Sequence, residues 1–163
     1  MSPTSFFGLA LALCLSLTAH ADTLQGRVIG IADGDTLTVL DANNEQHRIR
    51  LAGIDAPEKK QPFGQVSKQS LSDLAYARDV EVEWGKLDRY GRIVGKIIIS
   101  GEDINLIQVK RGLAWHYKKY EGEQSMADRI TYANEEAQAK QLRTGLWVDP
   151  QPIAPWDWRK GNR

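Results

Sequence analysis

The stretches Ile31-Ala32-Asp33-Gly34-Asp35-Thr36-Leu37-Thr38-Val39-Leu40 and His47-Arg48-Ile49-Arg50-Leu51-Ala52-Gly53-Ile54-Asp55-Ala56-Pro57-Glu58 decide how this chain is read. Each contains an alternating run that reads as a strand. Between them lies Ala42-Asn43-Asn44-Glu45, and asparagine tolerates a positive φ. A two-residue hairpin turn at Asn43-Asn44 is the expectation. That turn sets Leu37 opposite Arg50 and Asp35 opposite Ala52, so Asp35 and Arg50 become diagonal neighbours on one face. Asp55 and Glu58 then leave the second strand close to Asp35. Three carboxylates and one guanidinium are expected at one end of the hairpin.

Crowded carboxylates raise one another's pKa unless a cation neutralises them. A hard divalent ion suits an all-oxygen set. An arginine beside it suits a phosphate, whose oxygens match the guanidinium fork. Metal, arginine and a spare carboxylate together point to phosphodiester hydrolysis. The same residues have plainer readings. Asp33-Gly34 is a common turn dipeptide, and Asp55-Ala56-Pro57-Glu58 is a good helix start.

Outward from the hairpin, Leu24 to Ile31 reads as a first strand, and Val80 to Trp84 and Ile93 to Ile99 as later ones. Gln65 to Arg78 reads as a helix with Val66, Leu71, Leu74 and Ala75 as its apolar stripe. A short helix opens at Asp103-Ile104-Asn105 and stops at Gly112, and Leu113 to Tyr117 is a brief extended piece. Ser125 to Leu142 is the clearest helix, with Met126, Ile130, Ala133 and Ala137 as its stripe and Ser125 with Asp128 as its cap. The composition of Pro150 to Arg163 predicts no regular element. This order suits an α+β, mainly β protein: a five-stranded Greek-key barrel of the OB type with about three packed helices.

The 163 residues suit one domain. Lys plus Arg and Asp plus Glu are both 21, which argues against non-specific coating of nucleic acid but leaves room for a locally positive cleft. Residues 1–21 hold no Lys, Arg, Asp or Glu, and the apolar run Phe6 to Leu17 precedes Ala19 and Ala21. They read as a signal peptide, leaving a domain at 22–149 and a tail at 150–163. Export to the periplasm or medium is expected, with an uncleaved anchor as the alternative. The single cysteine, Cys14, lies in that run, so the mature chain has no disulfide. His47 and His116 lack a second histidine or thiol nearby, which disfavours zinc. His116 reads as a packed or exposed residue, and Trp84 and Trp147 as core. Trp156 and Trp158 either clamp the tail or present an aromatic surface.

A second constellation, Asp88-Arg89-Tyr90-Gly91-Arg92, sits between two strands. Gly91 allows a tight bend, and Arg92 can point back to the barrel mouth. Arg89 and Tyr90 could grip a phosphate and stack on a base, although an exposed basic turn is the simpler reading for Arg89.

Together with Val109-Lys110-Arg111-Gly112-Leu113-Ala114 and Ala137-Gln138-Ala139-Lys140, these blocks resemble the staphylococcal nuclease (thermonuclease) family, in the manner of an exported Gram-negative member. The resemblance spans about Leu24 to Trp147. It implies a nuclease that uses one Ca²⁺ and cuts DNA and RNA at the 5′-oxygen to leave 3′-phosphates. It implies Asp35 and Asp55 as metal ligands, Ala56 as a backbone-carbonyl ligand and Asp33 as a supporting acid. Arg50, Glu58 and Arg92 match the catalytic trio. Tyr90 matches a nucleotide-contacting tyrosine. The stacking tyrosine of the type member falls on Lys118, flanked by Tyr117 and Tyr120, and only Lys59 and Lys60 remain of a lysine-rich loop. A monomer with no obligate protein partner is expected. The alternative is a non-catalytic OB-fold module that binds nucleic acid or serves the envelope, for which this acid–arginine set has no use.

Overall fold

The computed structural model describes residues 22–161. The signal-peptide reading and Cys14 lie outside the described residues. Strands β1 (Asp22–Asp33), β2 (Thr36–Asp41), β3 (Gln46–Leu51), β5 (Asp79–Leu87) and β6 (Ile93–Ile99) form the barrel. Their order is β3-β2-β1-β5-β6, and a parallel pairing of β3 with β6 closes it. The short β7 (Glu102–Asp103) extends β6. A separate ladder joins β4 (Ile54–Asp55) to β8 (Trp115–His116). Among the described residues four α-helices pack outside: α1 (Gly64–Ala75), α2 (Ile104–Lys110), α3 (Met126–Gln141) and α4 (Pro155–Gly161). The fold is the expected OB-type barrel, with one helix more than foreseen.

The period-2 pattern explains the interior. Val28, Leu37, Val39, Ile49, Val82 and Ile97 are wholly buried and meet inside the barrel. Irregularities in β1 between Val28 and Gly30 and between Ile31 and Asp33 add local twist, so the long strand can pair with β2 at one end and β5 at the other.

The hairpin register differs by one residue from expectation. Leu37 faces Ile49, and Arg50 faces Thr36. The loop is Ala42-Asn43-Asn44, not Asn43-Asn44 alone. The Asp41 carboxylate accepts from the Asn43 and Glu45 amides at 2.9 and 2.8 Å, while Asn44 takes φ 62°. A side chain that satisfies two loop amides favours the three-residue turn.

The helical stripes also need correction. Val66, Met126 and Ile130 are exposed. The buried face of α3 carries Tyr132, Glu136 and Ala139 instead. Two of those three are polar, which hid the face from hydrophobic periodicity. The Tyr132 hydroxyl donates to Asp103 Oδ2 at 2.7 Å, so it is satisfied in the core. The Ser125 cap is as expected, accepting from the Asp128 amide at 3.0 Å. Trp147 is buried, and Trp84 packs half-buried against the core. The tail, predicted irregular, forms α4. Pro155 provides its first turn, and Ala154 and Pro155 are buried against the domain. Among the described residues no helix is long and apolar enough to cross a membrane.

Candidate active site

Asp33 pairs with Thr36, so Gly34-Asp35 is a two-residue turn from β1 to β2. A Cβ on Gly34 would overlap Ser67 Oγ and lie 2.8 Å from Ala56 Cβ. Only glycine lets α1 approach this closely. The wholly buried Gln108 of α2 holds the turn from beneath: its Nε2 donates to Gly34 O at 2.9 Å and Ser67 O at 3.1 Å. Its Oε1 accepts from Ser70 Oγ at 2.7 Å. Asn105, one helical turn earlier, donates to Ala52 O at 3.0 Å and Gly95 O at 3.1 Å, tying the end of β3 to β6.

On that footing Asp35 and Asp55 come together. Asp35 is 6 % exposed and Asp55 1 %. Arg50 Nη2 lies 2.9 Å from Asp55 Oδ1 and 3.2 Å from Asp35 Oδ2. Its Nη1 donates to the Leu51 and Ile54 carbonyls, each at 3.0 Å. The shifted register means strand-face neighbours do not make this contact. The arginine instead folds round the end of β3, held by the two carbonyls it caps. The Ala56 amide donates to Asp35 Oδ2 at 2.6 Å, and Asp33 Oδ1 accepts from the Asp35 amide at 3.2 Å. Burial, above all, pushes the Asp35 carboxyl up to about 7. Arg50 and the Ala56 amide oppose the rise, and the charges of Asp33 and Asp55 add to it.

Glu58 lies beyond Pro57 on a half-exposed loop. Its amide donates to Gln61 Oε1 at 3.1 Å. Its carboxylate reaches the same cluster through Arg159 of α4. Arg159 Nη1 is 2.8 Å from Glu58 Oε1, and Arg159 Nη2 is 2.7 Å from Asp55 Oδ2. Arg159 was missed in the sequence, and the only signal was its place in the aromatic, charged run Trp156-Asp157-Trp158-Arg159.

The other expected residues distribute as follows. Arg92 binds Asp88 with Nε and Nη2, both at 2.7 Å. Burial raises the Asp88 carboxyl, but hydrogen bonds from Arg92 and the Tyr90 amide outweigh it and hold the carboxyl below its ordinary range. Arg89 and Arg92 lie over the Tyr90 ring, at 4.8 and 5.5 Å, and Tyr90 is exposed. Tyr117 follows β8, whose Trp115 pairs with Asp55 across the ladder, and its amide donates to Gly53 O at 2.8 Å. Burial, then the Asp55 charge, raises the Tyr117 pKa. Tyr120 meets Tyr117 edge-on at 4.9 Å and borders a groove of about 390 Å³ beside Trp84, Lys86 and Tyr132. Lys118 stays half-exposed and is held by Glu136 at 3.1 Å and His116 Nδ1 at 2.9 Å, so it does not take the place of a stacking ring. His116 is wholly buried and accepts no exposed role: its Nε2 is 2.7 Å from Gln124 Oε1, and burial lowers its pKa.

Among the described residues, the one acid–histidine group with ligand atoms mutually within 4.8 Å is Asp41, Glu45 and His47, at the hairpin loop. His47 Nε2 lies 2.9 Å from Asp41 Oδ2 there, away from Asp35 and Asp55. The Asp35–Asp55 cluster also suits a hard cation by its donor set: two buried carboxylates with a backbone carbonyl adjoining them in the chain.

The structure thus belongs to the class of OB-type barrels that gather buried acids on one arginine at the end of a strand. Comparison with known proteins narrows that class. The profile described as "Staphylococcal nuclease homologue" matches residues 48–149. An "Uncharacterized endonuclease" of Haemophilus influenzae is 46% identical over 137 residues, covering 84% of this chain and 74% of that protein. A "Micrococcal nuclease" of Shigella flexneri is 40% identical over 163 residues, covering 94% and 90%. An "Uncharacterized endonuclease" of Escherichia coli is 39% identical over 137 residues, covering 83% and 85%. This chain belongs to the staphylococcal nuclease family.

Proposed function

We propose that the protein is a calcium-dependent, sugar-nonspecific nuclease that hydrolyses phosphodiester bonds of DNA and RNA at the 5′-oxygen, leaving 3′-phosphates. The observation that carries the reading is the contact of one guanidinium, Arg50, with two buried carboxylates, Asp35 and Asp55. A binding module would have no reason to bury that charge. Membership of a nuclease family supports the same reading.

Asp35, Asp55 and the Ala56 carbonyl would hold the ion, with Asp33 orienting Asp35 through its amide. An ion held by these oxygens would supply positive charge to offset the charge that develops on the phosphoryl group. Glu58, half-exposed at the pocket edge, accepts a proton from the attacking water or aligns it, a role worth about 10²- to 10⁴-fold in rate. Arg50 binds the phosphoryl group as negative charge builds on it. Arg92, at the start of β6 and beside Tyr90, binds the phosphoryl group from the neighbouring strand after exchanging Asp88 for substrate. Tyr90, Arg89, Tyr117 and Tyr120 supply stacking and phosphate contacts along the strand. We further propose that residues 1–21 direct export, and that the chain acts as a monomer.

The test is cleavage of plasmid and RNA by purified protein with calcium, with chelator, and with calcium restored. Activity that disappears and returns, with 3′-phosphate ends on the products, is expected. Undiminished cleavage in chelator, or 5′-phosphate ends, would overturn the assignment.

A further inference from the structure

The C-terminal helix grips the site and not merely the barrel. Arg159 spans Asp55 and Glu58: Nη1 is 3.2 Å from Asp55 Oδ1 and 2.8 Å from Glu58 Oε1, and Nη2 is 2.7 Å from Asp55 Oδ2. With Arg50 on Asp55 Oδ1 as well, both oxygens of that carboxylate already carry guanidinium donors. A cation binding Asp55 must compete with these donors: Oδ1 carries two of them, and Oδ2 keeps one lone-pair site beside the Arg159 guanidinium.

Trp156, three residues earlier on the same helix, covers the neighbouring ring. It lies parallel to Tyr117, at 4° and 5.3 Å between centroids, and edge-on to Trp115 at 5.5 Å. Flat stacking on a tyrosine is the arrangement a nucleic-acid base would take there. A third tether runs through Gln61, which accepts from the Glu58 amide and donates from Nε2 to Ile153 O at 2.6 Å. A seven-residue helix has little stability of its own, so it stays docked only through tertiary contacts such as these and the burial of Ala154 and Pro155. Arg159 is 38 % exposed and Glu58 42 %, so the seal sits at an open rim from which it can depart.

We propose that the C-terminal helix is an intrachain inhibitor: Arg159 stands in for the metal, Trp156 stands in for a base, and calcium binding releases both and so clears the ring for substrate. The inference rests on the Asp35–Asp55 pocket being the calcium site. A site open for only a fraction of the time shows an affinity reduced by that fraction.

Calcium titration calorimetry on the parent, Arg159→Gln and Trp156→Ala, each checked for an intact fold by thermal melting, tests it. The expectation is calcium binding about tenfold tighter in Arg159→Gln. A smaller change in the same direction is expected in Trp156→Ala, which leaves every carboxylate untouched. On calcium addition to the parent, Trp156 should leave Tyr117, changing the tryptophan emission; that change should shrink in Trp156→Ala. Unchanged or weaker binding in both variants would overturn the inhibitor. Absence of calcium uptake by all three proteins would instead overturn the metal site on which it depends.

Discussion

Two buried carboxylates in this protein meet opposite fates. Glu136 on α3 accepts from the His116 amide at 3.0 Å and from Lys118 and Lys140 at 3.1 and 2.9 Å. Burial pulls its pKa upward, yet the two lysines prevail and hold it below the ordinary glutamate value. Asp35 is equally buried and has Arg50 beside it, yet it rises to about 7, with burial as the leading cause and the acids around it adding to the rise. The first charge is fully met by its neighbours and serves the fold. The second stays costly to ionise in spite of the arginine beside it, which suits the cation proposed for it.

The sharpest break of that contrast is Glu58→Gln. It removes the proton acceptor but no buried charge, so activity should fall by about 10²- to 10⁴-fold while the melting temperature moves little. Parent-rate cleavage by the variant would end the role given to Glu58. Asp35→Asn removes the buried charge that is costly to ionise. A carboxyl raised to about 7 in the fold takes away stability above that pH, so in chelator at pH 8 the variant should be more stable than the parent by urea unfolding, while losing calcium uptake. A loss of stability would mean that Arg50 already offsets the charge of Asp35.

Glu136→Gln should do the reverse, costing about 1 kcal/mol at pH 7 and leaving the turnover of the folded enzyme unchanged. The figure is kept small because Lys118 and Lys140 are 49 % and 43 % exposed and water screens them. A depressed carboxyl pKa stabilises the fold above its unfolded value. The gap between parent and variant should therefore be full at pH 7. It should close as pH falls below 4.5 and through the lower folded value. Lys140→Ala, which leaves Lys118 in place, should cost no more than about 0.5 kcal/mol.

Much of this was legible in the chain. Asp33-Gly34-Asp35 and Ile54-Asp55 were read as one end of a hairpin, and they do converge with Arg50. The route was misread, because Asp41 sets the turn and nothing in a pattern of apolar residues reports a carboxylate that caps two amides. Gln108 was invisible for a related reason: a buried carboxamide at a helical position looks like a surface residue until its three partners are known. Glu136 misled in the same way. Arg159 was missed because its partners Asp55 and Glu58 lie about a hundred residues back, where no local rule reaches.

The seam between β3 and β6 has one more consequence. It is the barrel's parallel closure, and it joins Ile49 to Ile93 and Arg50 to Val94, residues far apart in the chain. Contacts of that span form late, since a long loop must close before they repay its lost entropy. Arg50 and Arg92 lie on the two sides of this seam, so the pair that the proposed chemistry needs is assembled only when it zips. A half-made or unfolded chain would thus be harmless to the nucleic acids of the cell that makes it.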